Sequence, residues 1–413
     1  MIQEEFLREI VEQQREAIGA KEAGMQREHL LSVPDRKSHA LIVSGIRRCG
    51  KSTMLYQLLR VRYPQATYLN FDDPRLYDFE VEDLIKLDHI IKSLGSQVLM
   101  FDEIQLIKGW ERYVRQKLDE NYQVFVTGSN ASLLSRELGS SLTGRHITKE
   151  LFPFSYSEYC QFHQLQPCVE STDAYLKDGG FPEYQKQKDS EILTSLLDDI
   201  LVRDIAVRYN IRDVRTLQRL TLFLLSNIGN RVTGNKLKAS FGISSATTIL
   251  EYFSYLEQSY LLSFVPMFDY SLKKQNINPK KVYAIDTGLV DAVTSQFKKD
   301  DGHKFENLVF LALRRHFKEI YYYAMKGECD FLVMDKGVVA GAYQVCLDLN
   351  NDNLQRETSG LFEAMKTFQL QEGTIITMNQ RDFFVQEEMK VKVIPFHEIA
   401  KLFPNESGNA SIH

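Results

Sequence analysis

The sequence predicts an α/β chain: a parallel sheet wrapped by helices first, a mainly helical stretch next, and a second α/β region at the end. Three observations predict it. Short apolar runs at Ala40–Ser44, Ala66–Phe71, Gln97–Phe101 and Val124–Thr127 alternate with segments of helical period. The first run leads into Gly45-Ile46-Arg47-Arg48-Cys49-Gly50-Lys51-Ser52, and a helix with apolar Leu55, Leu58 and Leu59 follows from Thr53. The third run ends in Asp102-Glu103.

The glycine-containing tip matches G-x-x-x-x-G-K-[ST], the phosphate loop of nucleotide triphosphatases. Glycines let the backbone curl so that successive N–H groups and the helix N-terminus point at one anion. Residues Gly45 to Thr53 are therefore expected to hold ATP or GTP, with Lys51 on the β- and γ-phosphates and the Ser52 hydroxyl on Mg²⁺. Asp102, at the C-terminal tip of a buried strand, is placed to hold the same ion. Glu103 is the expected base for the attacking water, although acids are also favoured at a helix start. The tip after the fourth run offers Thr127, Ser129 and Asn130 as γ-phosphate sensors, Asn130 serving equally well as a helix cap. Arg145, just after Gly144, is expected as a transition-state arginine in its own subunit or across to a neighbour, against the plainer reading of a solvated loop arginine.

Composition bounds the rest. With 413 residues and 44% apolar content the chain supports two to four domains. The N-terminus is acidic and polar rather than a secretion signal, and the longest apolar stretch, Leu217 to Ile228, is interrupted and too short to span a bilayer. The five cysteines show neither a C-x-x-C pair nor zinc spacing. A cytoplasmic protein with reduced thiols and no membrane contact is expected. A net charge of −5 argues against indiscriminate binding of nucleic acid.

Six segments follow: an N-terminal helix (1–36), the phosphate-loop core (37–150), a helical lid (151–212), a helix-turn-helix with a β-wing (213–290), a nuclease-like region (291–403) and a tail (404–413). The first lid helix starts at Ser155, with Glu158 completing a capping box, and the last carries Arg203-Asp204. In the fourth segment Leu237 and Phe241 lie on a short helix, Gly242-Ile243 turns the chain, and Ile249, Phe253 and Leu256 line a second helix. Cationic residues crowd here: Arg231, Lys236 and Lys238, then Lys273, Lys274, Lys280 and Lys281 in the wing loop. Such a local cluster is a footprint for the backbone of double-stranded DNA, or alternatively a solvated face or a protein contact.

The fifth segment carries a faded constellation. Glu306 sits on a helix, Asp330 opens a strand, and the next strand brings Gln344 and Cys346. In Mg²⁺ nucleases with a PD-(D/E)xK core, the last two positions are an acid and a lysine. An amide is a poor exchange for a carboxylate on a hard cation, and a thiol supplies no ammonium. A nuclease-like fold without cutting activity is expected.

From Leu41 to Phe396 the chain resembles the bacterial and archaeal AAA+-type ATPases whose C-terminal part joins a winged helix to a nuclease-like core. The phosphate loop and Phe101-Asp102-Glu103-Ile104-Gln105 carry the resemblance first, with Thr127-Gly128-Ser129 and Gly144-Arg145. More specific are Gly179-Gly180-Phe181-Pro182, Arg203-Asp204, Lys281 to Gly288, Phe305-Glu306-Asn307 and Glu328-Cys329-Asp330-Phe331. The resemblance implies an ASCE-type core with a helical lid, a winged helix and a nuclease-like domain, with ATP rather than GTP as substrate. It implies Mg²⁺-dependent hydrolysis by Lys51, Ser52, Asp102 and Glu103. Two roles stay open: an ATPase coupled to DNA binding, or an ATP-gated switch for a protein partner. Homo-oligomers are expected if Arg145 acts across subunits.

Overall fold

The structure, a computed structural model, describes all residues except 23, 29–36, 130–141, 143, 244, 295–299 and 404–413. The chain divides into two compact units, Met1–Phe152 with Gln258–Tyr260, and Pro153–Glu257 with Leu261–His413.

The first unit is built on five parallel strands, β1 (Ala40–Ser44), β2 (Thr67–Asn70), β3 (Val98–Asp102), β4 (Gln123–Gly128) and β5 (His146–Glu150), in the order β2-β3-β4-β1-β5. Every residue of β1 is buried, as a parallel strand covered on both faces requires. The N-terminal helix Glu4–Ala20 buries Leu7, Ile10 and Val11 in the same core as Ile42, Leu99 and Val124, so it belongs to this unit. Strand β5 had no apolar run to announce it. It lies at the sheet edge and all five residues are only half-buried.

The second unit opens with the Tyr156–His163 helix, started by the expected box of Ser155 and Glu158. Helix Ser190–Asp199 passes into a π-helical run at Ile200–Val207. Helices Val214–Leu225, Gly234–Phe241 and Ala246–Gln258 then accompany three antiparallel strands, β6 (Arg231–Val232), β7 (Leu262–Pro266) and β8 (Lys280–Ala284), with β8 central. The expected wing loop holds a short helix, Leu272–Ile277. A second sheet follows the helix Asp301–Arg314. Its strands are β9 (Glu319–Ala324), β10 (Glu328–Asp335), β11 (Val338–Val345), β12 (Glu372–Thr377), β13 (Asp382–Gln386) and β14 (Met389–Pro395). Strands β9 to β11 form an antiparallel meander, and β11, β12 and β14 run parallel. Helix Leu354–Phe368 connects β11 to β12.

One core cluster joins Tyr156, Tyr159 and Tyr175 to Tyr283 and to Phe305, Phe310 and Phe331. This cluster thus draws residues from each of the stretches 151–212, 213–290 and 291–403 read from the sequence as separate domains. Aromatic side chains at their borders pack across the expected boundaries, which no local pattern in any one segment reveals. Among the described residues, no helix is long and apolar enough to cross a membrane, and all five cysteines are free thiols.

Candidate functional site

In the first unit, parallel register brings three strand tips together. Ser44 pairs with Gly128, and β3 ends beside β4 at Asp102. The loop after β1 turns sharply: Arg48 and Gly50 have φ of 61° and 103°, and a Cβ on Gly45 would lie 2.1 Å from the Leu151 carbonyl oxygen. Arg27, absent from the sequence reading, is buried beneath the loop and donates to the carbonyls of Cys49 and Phe152, both at 2.8 Å. Ile46 and Cys49 are fully buried, so they anchor the loop, and burial raises the Cys49 thiol pKa. Lys51 starts the Lys51–Val61 helix. Its Nζ donates to the Gly45 and Ile46 carbonyls at 3.1 Å and lies 3.8 Å from Glu103 Oε1.

Asp102 is fully buried and accepts from the hydroxyls of Ser52, Thr127 and, at 2.8 Å, Tyr68. Burial first, then the neighbouring Glu103, raises its pKa against those three donors. Glu103 sits in the left-handed region at φ 53°, a strained conformation for a side-chain-bearing residue and one that clusters at functional sites. Its N–H bonds Thr127 Oγ1 at 3.0 Å, and its carboxylate accepts from Gln105 Nε2. The expected sensor Thr127 thus spends its hydroxyl organising Asp102 and Glu103. Ser129 is buried at the same tip, and Asn130 lies outside the described residues. Ser52 and Asp102 offer hard oxygen donors side by side, a set that fits Mg²⁺.

Arg145 lies apart from these groups. It precedes β5, and its carbonyl accepts from Ala40 N–H at the start of β1, while its guanidinium pairs with Asp119 at 2.6 Å. The phosphate loop leaves the other end of β1, so the five-residue strand separates the two by roughly 16 Å. The parallel register thus holds Arg145 away from the phosphate loop of its own chain.

The second unit gathers the nuclease-like residues and adds others. Glu306 and Asp330 face each other across Lys281, a β8 lysine that the sequence reading assigned to a basic wing. Lys281 Nζ donates to Glu306 Oε1 at 2.9 Å, Asp330 Oδ1 at 2.8 Å and Glu328 Oε1 at 3.0 Å. Burial alone would lower the lysine pKa, but Asp330, Glu306 and Glu328 hold it well above its usual value. Tyr283 donates to Glu306 at 2.5 Å. Burial, then Asp330, pushes Glu306 up to about 7 despite the opposing pull of Lys281 and Tyr283. Gln344 donates to Glu357 at 2.7 Å and accepts from Asp330 N–H at 3.2 Å. Cys346 donates instead to the Asp348 carbonyl, and burial raises its pKa to about 11, so it remains a neutral thiol. Lys281, its three carboxylates and Gln344 line a polar cavity of about 860 Å³ with Arg231, His303 and Arg356.

Of the expected DNA contacts, Lys236, Lys238, Lys273 and Lys274 are exposed, Lys274 lying 3.6 Å from Asp269. Arg231 is turned to the carboxylate cluster, 2.8 Å from Glu328 and over the Tyr322 ring.

Residues 37–160 match the model of an AAA domain (AAA_14), and residues 169–300 that of a domain of unknown function (DUF8612). An uncharacterized protein of Methanocaldococcus jannaschii is 32% identical over 387 residues, covering 86% of each chain. One of Haemophilus influenzae is 29% identical over 298 residues, covering 66% of this chain and 74% of its own. Among solved structures, AMPPCP-bound DnaA of Aquifex aeolicus matches 56% of this chain and 85% of its own at 15% identity and a TM-score of 0.29. The STAND protein PH0952 of Pyrococcus horikoshii, with a tetratricopeptide repeat sensor, matches 72% of this chain and 46% of its own at 13% identity and 0.28. Such low scores carry no shared function.

Proposed function

This chain belongs to the same family as the Methanocaldococcus jannaschii protein and carries an AAA-type ATPase domain, and from that premise we propose that it binds ATP with Mg²⁺, hydrolyses it, and couples the nucleotide state to its hold on double-stranded DNA. One observation carries the reading: Lys51, Ser52, Asp102 and Glu103 converge at one end of the parallel sheet beside a curled glycine loop. In this reading the loop N–H groups cradle the phosphates, and Lys51 leaves its own loop carbonyls for the β- and γ-phosphate oxygens. Ser52 and Asp102 hold the ion, which supplies positive charge to the phosphates. Glu103 orients the attacking water and accepts its proton.

The DNA side rests on the exposed lysines of the second unit. The Ala246–Gln258 helix contains no Lys or Arg and two Glu, so the contact is to phosphates and not to base edges. The last segment we read as a nuclease-like domain that does not cut. The test is steady-state ATP hydrolysis by the full chain with and without duplex DNA, beside Lys51→Ala and Glu103→Gln. Stimulation by DNA, absent in both variants, supports the coupling; hydrolysis surviving Lys51→Ala sinks the assigned site. Replacing Lys236 and Lys238 by Glu should lower the salt slope of DNA binding by about 1.8 if each meets one phosphate. Hydrolysis indifferent to DNA, with a protein captured only in the ATP state, favours the protein-interaction switch, to which the neutralised nuclease-like cluster is suited.

A further inference from the structure

We propose that Lys281 is the resident cation of the second unit's carboxylate cluster, its ammonium standing between Glu306, Glu328 and Asp330 where a nuclease of this fold holds a divalent ion, so that the site takes neither Mg²⁺ nor Mn²⁺. The inference deepens the non-cutting reading of that domain and borrows from it only the identity of the displaced ion. The cluster geometry stands by itself.

An ammonium has three N–H donors. All three of the Lys281 donors find carboxylate oxygens, at 2.8, 2.9 and 3.0 Å. These are the spacings of charge-assisted hydrogen bonds; a magnesium ion would draw oxygens to roughly 2.0–2.1 Å. The lysine is not a mobile arm swung into the site. It lies in the middle of a three-stranded sheet, paired with Arg231 on one side and Val265 on the other, and its side chain is 5% exposed. The remaining polar groups are equally committed. Asp330 Oδ2 accepts from Val345 N–H at 3.0 Å, Arg231 takes Glu328, and Gln344 bridges Asp330 to Glu357. Arg356 donates from Nε to Glu357 at 2.9 Å. Among the described residues, no group of three or more acids, histidines and cysteines is arranged to hold a metal. The residues of this site therefore fit a protein ammonium and not a divalent ion.

A different arrangement would place a metal beside a relocated catalytic lysine, and the two can be separated. Mn²⁺ is titrated into the nucleotide-free full chain at neutral pH, and free Mn²⁺ is read by electron paramagnetic resonance. Wild type is expected to bind no ion that depends on Asp330 up to about 1 mM. Lys281→Met is expected to bind one Mn²⁺ per chain at least about tenfold more tightly than wild type, as three carboxylates are left without their cation and the space it filled is opened. The double variant Lys281→Met/Asp330→Asn should lose that binding. An ion bound by wild type and lost in Asp330→Asn overturns the proposal, as does a folded Lys281→Met chain that binds no better than wild type. If Lys281→Met does not fold, the wild-type and Asp330→Asn titrations decide alone. None of these readouts involves ATP, so failure here leaves the hydrolysis reading untouched, and the reverse.

Discussion

Each unit of this chain buries a lysine beside carboxylates, and the two lysines are held in opposite ways. Lys51 spends its donors on two carbonyls of its own loop and stands 3.8 Å from one carboxylate. Lys281 has three carboxylates within 3.0 Å and no spare donor. Neutral carbonyls are partners that an incoming phosphate can outcompete; a triad of anions is not. The same residue types thus yield a site ready to exchange partners in one unit and a saturated one in the other. Two variants sharpen the contrast. Lys51→Met should lower ATP hydrolysis by about 10³-fold, as loss of a preorganised charge at the transferring phosphate does, while changing stability by only about 1 kcal/mol. Lys281→Met should do the reverse. Stripping the cation from a buried cluster costs about 3–5 kcal/mol in chemical denaturation of the second unit, with hydrolysis by the first unit untouched. Equal stability losses for both variants would break the comparison.

Glu103→Gln comes next in size. The amide keeps the shape and the bond to Gln105 but cannot take a proton, so kcat should fall about 10²-fold with ATP affinity nearly unchanged. A parallel loss of affinity would mean that Glu103 serves binding rather than the chemical step.

Another carboxylate of the second unit, outside the Lys281 cluster, is held chiefly by backbone N–H groups. Asp286 is fully enclosed and accepts from Gly180 N–H at 2.6 Å and Leu289 N–H at 2.8 Å. Burial outweighs these donors and raises its pKa to about 6. The raised value means that folding favours the protonated form. Its contribution to stability is complete below the unfolded value near 3.8 and is lost as pH rises through 6. The stability of wild type relative to Asp286→Asn should therefore fall by about 2 kcal/mol between pH 4 and pH 7. A difference that stays flat over that range would refute the assignment.

What the sequence made legible follows the same division. The phosphate loop and the Asp102-Glu103 tip are contiguous motifs, and their positions at strand ends follow from short apolar runs that hold in the structure. The partners of Lys281 lie 25 and 49 residues away, so a charge pattern read locally placed it on a basic surface instead of in a buried cluster. The pairing of Arg231 with Glu328 was hidden for the same reason, since Glu328 comes from another strand. Strand β5 escaped because it has no apolar run of its own, and the stretch Ile200–Val207 was legible as helix but not as a π-helical one, since its apolar residues do not specify the wider turn.

The smallest effect concerns Arg145, whose motif context suited catalysis and whose strand end does not. Arg145→Ala removes one half-exposed ion pair with Asp119, worth at most about 1 kcal/mol. In dilute protein, hydrolysis should stay within about twofold of wild type, because the side chain lies a strand's length from the loop. If activity rises with protein concentration and Arg145→Ala abolishes only that rise, the arginine acts between copies. Mixing it with Glu103→Gln chains should then restore part of the activity, since each variant supplies what the other lacks. A large loss in dilute monomer would contradict the reading that Arg145 does not reach the nucleotide of its own chain.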